Sequence, residues 1–125
     1  RGESDYLPYR YGRNCVVYTG THDNTTTEDW QLSAPPGDVE YARRYLDAPE
    51  KSGFTYGMIR AALGSVADTC IIPMQDYLCL GAWARMNRPG TVGGNWRWRV
   101  TKEELTPQLA EKIRSLTALY GRAPH

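Results

Sequence analysis

A chain of 125 residues has the length of one ordinary domain, and its 15 lysines and arginines nearly balance its 14 aspartates and glutamates. Because so small a net charge creates no field that attracts nucleic acid or an anionic membrane, neither is expected as a partner. No apolar run approaches the roughly 18 residues of a membrane span, and the first residues lack the layout of a signal peptide. We therefore expect a soluble protein without a targeting segment.

The cysteines lie in apolar sequence, and their spacing matches neither CxxC nor Cys/His zinc motifs. They are Cys15, Cys70 and Cys79. We expect buried, reduced thiols rather than a disulfide set or a zinc site, which favours the cytoplasm. Neither a metal nor an organic cofactor is predicted.

The first predicted element is a buried strand over residues 15–19, which the loop 1–14 precedes. Its β-branched and aromatic residues suit a covered, pleated surface, and Gly20 then permits a turn. The polar triplet 22–24 (His-Asp-Asn) follows directly. Chemistry in α/β proteins sits at the carboxyl end of a strand, although such a triplet can equally serve as a helix cap or a hydrogen-bonded turn.

Three helical segments are predicted next. The threonines 25–27 offer capping hydroxyls for a short helical turn through Trp30, Asp38 caps a helix over 39–46, and a stronger helix covers 55–67. The apolar stripe of this last helix is expected to face the core; it consists of Met58, Ile59, Ala62, Leu63 and Val66.

A second short strand is predicted over 69–74, ending near Pro73 because proline cannot donate to the ladder. Polar Gln75 and Asp76 follow it, which repeats the first arrangement of strand and polar end. A short helix over 78–85 and a glycine-rich loop over 87–95 come next.

The final helix has clear boundaries. Thr106 is its predicted cap, Pro107 suits its first position, and Gly121 ends it. Its apolar stripe consists of Leu109, Ile113, Leu116 and Tyr120.

The strands are continuously apolar rather than alternating, which predicts a parallel sheet covered by helices on its outer side. Two βα units do not make a domain, since a parallel barrel needs eight strands and about 250 residues. The pattern therefore indicates a piece of a larger α/β fold.

Four ordered motifs together resemble one family. They are Val16-Val-Tyr-Thr-Gly-Thr-His-Asp-Asn24, Ile71-Ile-Pro-Met-Gln-Asp76, Ala84-Arg-Met-Asn-Arg-Pro-Gly-Thr91 and Gly94-Asn-Trp-Arg-Trp-Arg99. They resemble the C-terminal part of the 4-α-glucanotransferases (amylomaltases or disproportionating enzymes, glycoside hydrolase family 77). The resemblance covers roughly residues 5–122 and includes the terminal Leu119-Tyr-Gly-Arg122.

The resemblance implies a (β/α)8 TIM barrel, of which this chain holds the last two βα units. Residues 15–68 would be the seventh unit and 69–122 the eighth, so that 1–125 is the C-terminal portion of one catalytic domain. It also implies retaining transfer of α-1,4-glucan segments between maltooligosaccharides. The nucleophile and the acid/base of such an enzyme would lie upstream, so the chain alone is expected to be inactive.

The resemblance assigns Asp23 to the carboxylate that stabilises the transition state, since an ionised carboxylate beside the sugar favours its developing positive charge. The predicted substrate-binding residues are His22, Asn24, Gln75, Asp76, Asn87, Asn95 and Trp96. A structural role in the loop is the alternative for Asn87 and Asn95. Thr25 departs from the family, which commonly has an aspartate there.

Two other interpretations stay open at this point. The chain is either an inactive glucan-binding or interaction module derived from the same barrel, or a fragment whose exposed sheet edge drives association. The expected partners are accordingly an α-1,4-glucan or maltooligosaccharide, a second copy of the chain, or the missing N-terminal part of the barrel.

Overall fold

A computed structural model describes residues 15–20, 24–87, 90, 93 and 95–124. The predicted loop over 1–14, together with His22 and Asp23, lies outside the described residues. In chain order the elements are β1 (Val16–Tyr18), α1 (Thr27–Ser33), α2 (Pro36–Leu46), α3 (Phe54–Leu63), β2 (Thr69–Ile71), α4 (Met74–Tyr77), a 3₁₀ helix at Ala82–Ala84, another at Lys102–Glu104, and α5 (Pro107–Leu119).

The two strands pair in parallel, which confirms the predicted sheet. The facing residues are Val16 and Thr69, Val17 and Cys70, and Tyr18 and Ile71. The parallel arrangement brings the carboxyl ends of β1 and β2 to the same edge of the sheet. The chain therefore leaves β1 and β2 at neighbouring positions on this edge.

One face of this sheet is covered and the other is open. Val17 is 2% exposed and forms a core cluster with Ala62 of α3 and with Ala67, which precedes β2. On the opposite face, Tyr18 and Ile71 remain 44% and 46% exposed. The helices thus cover only the outer side of the sheet, as the sequence predicts.

Helices α1 and α3 are joined by an aromatic contact and a polar contact. Phe54 is fully buried and stacks on Trp30, with 5.9 Å between the ring centroids. The hydroxyl of the buried Thr55 donates a hydrogen bond to the carboxylate of Glu28. These contacts place α1 against the amino end of α3.

Several predicted boundaries are wrong. α1 continues to Ser33 rather than ending at Trp30, and β2 ends at Ile71 rather than near Pro73. α2 begins at Pro36, before the predicted cap Asp38, because the fixed φ of proline suits the first helical position. α3 ends at Leu63, so Val66 is 57% exposed rather than part of the core stripe. The helix predicted over 78–85 is replaced by α4, which starts directly after Pro73.

Helix α5 is confirmed at its start and along its predicted stripe. The Thr106 hydroxyl accepts a hydrogen bond from the Leu109 amide at 3.1 Å, and the four stripe residues are half-buried. Lys112 lies 3.7 Å from the ring centroid of Tyr56, which attaches α5 to α3. After the helix, the Arg122 guanidinium donates to three main-chain carbonyls between α3 and β2.

Two of the cysteines, Cys15 and Cys70, are half-buried rather than buried. Cys15 and Cys70 pack against the Val17 cluster, whereas Cys79 is exposed, which corrects the prediction of a buried thiol there. Within the described ranges, no helix combines the length and the apolar character that crossing a membrane requires.

Candidate functional site

A pocket of about 400 Å³ opens at the carboxyl ends of the two strands. Tyr18 and Gly20 contribute the β1 side, and Ile71 and Pro73 contribute the β2 side. Its other lining residues are Asn24, Thr25, Thr26, Gln75, Asp76, Arg85 and Met86. This is the edge at which a parallel α/β sheet places its ligands, and we call it the strand-end pocket.

Asp76 is a buried carboxylate in the lining of the pocket. Its side chain is 1% exposed, and its two carboxylate oxygens accept hydrogen bonds from the amide and the hydroxyl of Thr27, at 2.9 and 2.8 Å. Thr27 is the first residue of α1, where amide groups lack partners within the helix. Asp76 therefore ties the end of β2 to the start of α1.

The α1 side of the pocket is held by the hydroxyls of two threonines. Thr26 is the cap of α1 and accepts from the Asp29 amide at 3.2 Å, as the threonine run predicts. Thr25, which departs from the family pattern, donates to the Asp29 carboxylate at 2.7 Å. The Thr25 hydroxyl thus belongs to the cap of α1.

The opposite side is formed by residues that follow β2. Gln75 donates from Nε2 to the Ala84 carbonyl at 3.3 Å, and Arg85 donates from Nε to the Asn87 carbonyl at 2.8 Å. The Met86 carbonyl accepts from the main-chain amide of Trp96. This last bond joins the two ends of the loop between Met86 and Trp96.

The structure brings some of the predicted substrate-binding residues together. Asn24, Gln75 and Asp76 line the strand-end pocket. Asn87, Asn95 and Trp96 lie outside its lining, although the bond between Met86 and Trp96 connects their loop to its rim. His22 and Asp23 fall outside the described residues, whereas Gly20 and Asn24, which precede and follow them in the sequence, both line the pocket.

Sequence reasoning missed Tyr18 and Met86 as lining residues. Tyr18 had a usable signal, because adjacent strand residues point to opposite faces and Val17 is in the core. Met86 lies in the motif Ala84-Arg-Met-Asn-Arg-Pro-Gly-Thr91, but no periodic pattern indicates the direction of its side chain. Arg85 also lines the pocket, and its Nε donates a hydrogen bond to the Asn87 carbonyl.

Burial shifts the pKa values of side chains on α3, α4 and β2. Burial raises the pKa of Tyr56 to about 12, with smaller contributions from Cys79 and Tyr77. Burial likewise raises the pKa of Tyr77 and of Cys70, and the Arg122 charge partly offsets the shift at Cys70. The Tyr56 hydroxyl donates to the Tyr77 carbonyl at 2.6 Å, which also favours its protonated form.

The donors and acceptors of the pocket suit hydroxyl groups rather than a metal ion. The amide side chains of Asn24 and Gln75 can donate hydrogen bonds to a polyhydroxylated ligand and accept them from it, and the guanidinium of Arg85 can donate them. Among the residues that the structure describes, no three histidine, cysteine, aspartate or glutamate side chains are close enough to share a metal.

Comparison with known proteins relates most of the chain to one enzyme family. The family model of glycoside hydrolase family 77, 4-alpha-glucanotransferase, matches residues 1–106. The 4-alpha-glucanotransferase of Clostridium butyricum is 46% identical over 118 residues, which are 94% of this chain and 24% of that protein. The chloroplastic/amyloplastic 4-alpha-glucanotransferase of Solanum tuberosum is 42% identical over 96% of this chain and 21% of its own length.

A solved structure is similar along almost the entire chain. The amylomaltase of Streptococcus agalactiae, determined in complex with acarbose, superposes with a TM-score of 0.91 and 36% sequence identity. The match covers 98% of this chain and 25% of the amylomaltase. The chain therefore spans about a quarter of the length of these relatives.

Proposed function

Since the chain belongs to glycoside hydrolase family 77, the 4-alpha-glucanotransferases, we propose that it supplies part of the active site of an enzyme that transfers α-1,4-glucan segments between maltooligosaccharides. The observation that carries this proposal is the strand-end pocket, which is lined by Asn24 and Gln75; Asn24 directly follows Asp23 in the sequence. The acarbose complex of the similar amylomaltase supports a glucan-like ligand.

We assign β1 and β2 to strands seven and eight of a (β/α)8 barrel. The open face of the sheet supports this assignment, since Val16, Tyr18 and Ile71 are 44% to 46% exposed although they are large and apolar. In a closed barrel, side chains on this face pack against those of the other strands in the interior. Residues 15–68 and 69–122 remain the proposed limits of the two units.

The proposed reaction proceeds with retention of configuration through an oxocarbenium-like transition state. Asp23 is the proposed carboxylate that stabilises this state, while the nucleophile and the acid/base lie on parts of the protein outside this chain. His22, Asn24 and Gln75 are the proposed partners of sugar hydroxyls. Asn87, Asn95 and Trp96 would act from the loop next to Met86.

Asp76 fits direct substrate contact less well than its neighbours do. Its side chain is 1% exposed and both of its oxygens are engaged by Thr27. A role in binding sugar stays a prediction, and the geometry favours the different role developed below.

The family match and the names of the relatives favour a transferase over an inactive binding module. The cytoplasm is the proposed compartment, and a plastid is the alternative suggested by the name of the potato relative.

Disproportionation of maltotriose tests this function. The full-length protein that contains this chain should convert maltotriose into glucose and longer maltooligosaccharides, whereas residues 1–125 alone should give no products. Absence of longer products with the full-length protein would reject the transferase function. Turnover by the isolated chain would reject the assignment of the nucleophile and acid/base to other parts of the protein.

A further inference from the structure

Asp76 has an unusual position among the acidic residues. It is the only aspartate or glutamate in the described part of the chain that belongs to the buried polar set, at 1% exposure. Both carboxylate oxygens bond to one residue, Thr27, from which Asp76 is separated by 49 positions. A buried charge is retained where its hydrogen bonds are satisfied, and here the amide and the hydroxyl of Thr27 satisfy them.

These bonds fix one end of the connection between β1 and α1. At the other end of this connection, the Thr19 amide donates to the Ile71 carbonyl of β2 at 3.4 Å. Both ends are therefore attached to β2 or to the residues that follow it. Outside the sheet, Thr27 is held by the two bonds to Asp76 and by a longer bond of 3.4 Å from its hydroxyl to the Thr19 carbonyl.

The described residues of the connection lie close to Asp76. A methyl group added to Gly20 would lie 3.6 Å from the Thr25 carbonyl oxygen and 3.9 Å from Asp76 Oδ2. Asn24, Thr25 and Thr26 line the strand-end pocket just before Thr27. Moving Thr27 would therefore move this wall of the pocket.

We propose that Asp76 is a positioning residue that sets the place of the Asn24–Thr27 wall by binding the amide and the hydroxyl of Thr27. The inference rests on the proposed function, since Asn24 directly follows Asp23 in the sequence. A displacement of about 1 Å in a reacting group can cost on the order of 100-fold in rate. Loss of the Thr27 bonds therefore lowers kcat more than it raises KM.

The test uses the full-length protein and two threonine variants that lose the same kind of bond. Thr27→Val removes the hydroxyl that donates to Asp76 at 2.8 Å and to the Thr19 carbonyl at 3.4 Å, and Thr55→Val removes the hydroxyl that donates to Glu28. Both threonines are buried and both bonds involve α1, but the partner of Thr27 is Asp76, which lines the pocket, whereas the partner of Thr55 is Glu28, which does not. Thr55→Val is therefore the matched control for loss of stability.

The expected result is a kcat for maltotriose disproportionation that falls by about 10- to 100-fold in Thr27→Val with KM within about threefold, while Thr55→Val keeps the wild-type kcat. Asp76→Asn should retain part of the activity, because its side-chain oxygen can still accept from the Thr27 amide. Asp76→Ala should lose more and should also show faster deuterium exchange of the Thr27 amide.

Three outcomes would overturn the positioning role. One is an unchanged kcat in Thr27→Val, and another is an equal loss of kcat in Thr27→Val and Thr55→Val. The third is unchanged exchange of the Thr27 amide in Asp76→Asn and Asp76→Ala. If Asp76→Ala does not fold, Thr27→Val and Asp76→Asn still decide the question.

Failure of the proposed function would give a different experimental result from failure of the positioning role. In that case the wild-type protein itself lacks disproportionating activity, or Asp23→Asn retains it. An active wild type, an inactive Asp23→Asn variant and a fully active Thr27→Val variant would reject the positioning role alone.

Discussion

Replacing Arg122 by alanine should loosen the junction between α3 and β2. The guanidinium donates from Nε to the Leu63 carbonyl at 2.7 Å, and from Nη2 to the carbonyls of Ser65 and Ala67 at 3.1 and 2.8 Å. Leu63 is the last residue of α3, where carbonyl groups lack partners within the helix. Arg122 therefore satisfies acceptors that the fold leaves open and stabilises the segment that leads into β2.

The size of the effect follows from the number and exposure of these bonds. A hydrogen bond from a charged donor contributes about 1.5 kcal/mol at the low end, and water can replace part of each bond because Arg122 is only half-buried. We expect a local destabilisation of about 2–3 kcal/mol, which corresponds to roughly 30- to 150-fold faster exchange.

Deuterium exchange of the full-length protein, followed in peptides that cover 62–71, measures this opening directly. Arg114→Ala is the matched control, because Arg114 forms an exposed ion pair with Glu111 on α5 and should leave these peptides unchanged. Equal exchange in the two alanine variants would refute the reasoning, as would wild-type exchange in Arg122→Ala.

Three further predictions concern the core, the pH dependence and the open sheet face. Phe54→Ala should lower the free energy of unfolding by about 3–5 kcal/mol in urea titrations, because Phe54 is fully buried. Leu119 is 74% exposed, so the control variant Leu119→Ala should change the free energy of unfolding by less than about 0.5 kcal/mol. Because the folded pKa of Tyr56 is raised to about 12, the contribution of Tyr56 to stability is complete below pH 10 and is lost as the pH rises to about 12. The wild-type protein should therefore lose stability relative to Tyr56→Phe between pH 10 and 12. An equal loss in both proteins would contradict this prediction. The isolated chain should self-associate in sedimentation experiments through the apolar face of its sheet, and Tyr18→Lys should weaken this association while Leu32→Lys, on α1, should not.

Elements with local signals were predictable from the sequence. α5 has a threonine cap, a proline in its first position and an apolar stripe, and the structure confirms its start and its half-buried stripe. β1 and β2 are short apolar runs followed by glycine and proline, and both form within the predicted ranges, although β2 ends at Ile71 and Met74 already belongs to α4. In each case the deciding information lies within a few residues of the element.

The wrong boundaries depend on competing local signals or on distant partners. Both Pro36 and Asp38 can start a helix, and the structure uses Pro36 at the first position, which leaves Asp38 in the first turn, where its charge favours the helix dipole. The end of α3 is stabilised by Arg122, 59 positions after Leu63. A sequence window around Val66 does not contain that information.

The candidate site was predictable in its location and less so in its contacts. The rule that chemistry follows the carboxyl ends of parallel strands brings Asn24 and Gln75 to one pocket. The bonds between Asp76 and Thr27 join residues far apart in sequence, and no local sequence pattern predicts them. Sequence reasoning therefore treated Asp76 as a candidate ligand for sugar, whereas the structure engages both of its oxygens within the protein.

The most direct test of the central proposal is the turnover number of Asp23→Asn in the full-length protein, measured by maltotriose disproportionation. Removing a charge that stabilises the transition state should lower kcat by about 100- to 1,000-fold. Asp68→Asn, at an exposed residue outside the strand-end pocket, should keep the wild-type value. A wild-type kcat in Asp23→Asn would contradict the role of the β1 end in catalysis.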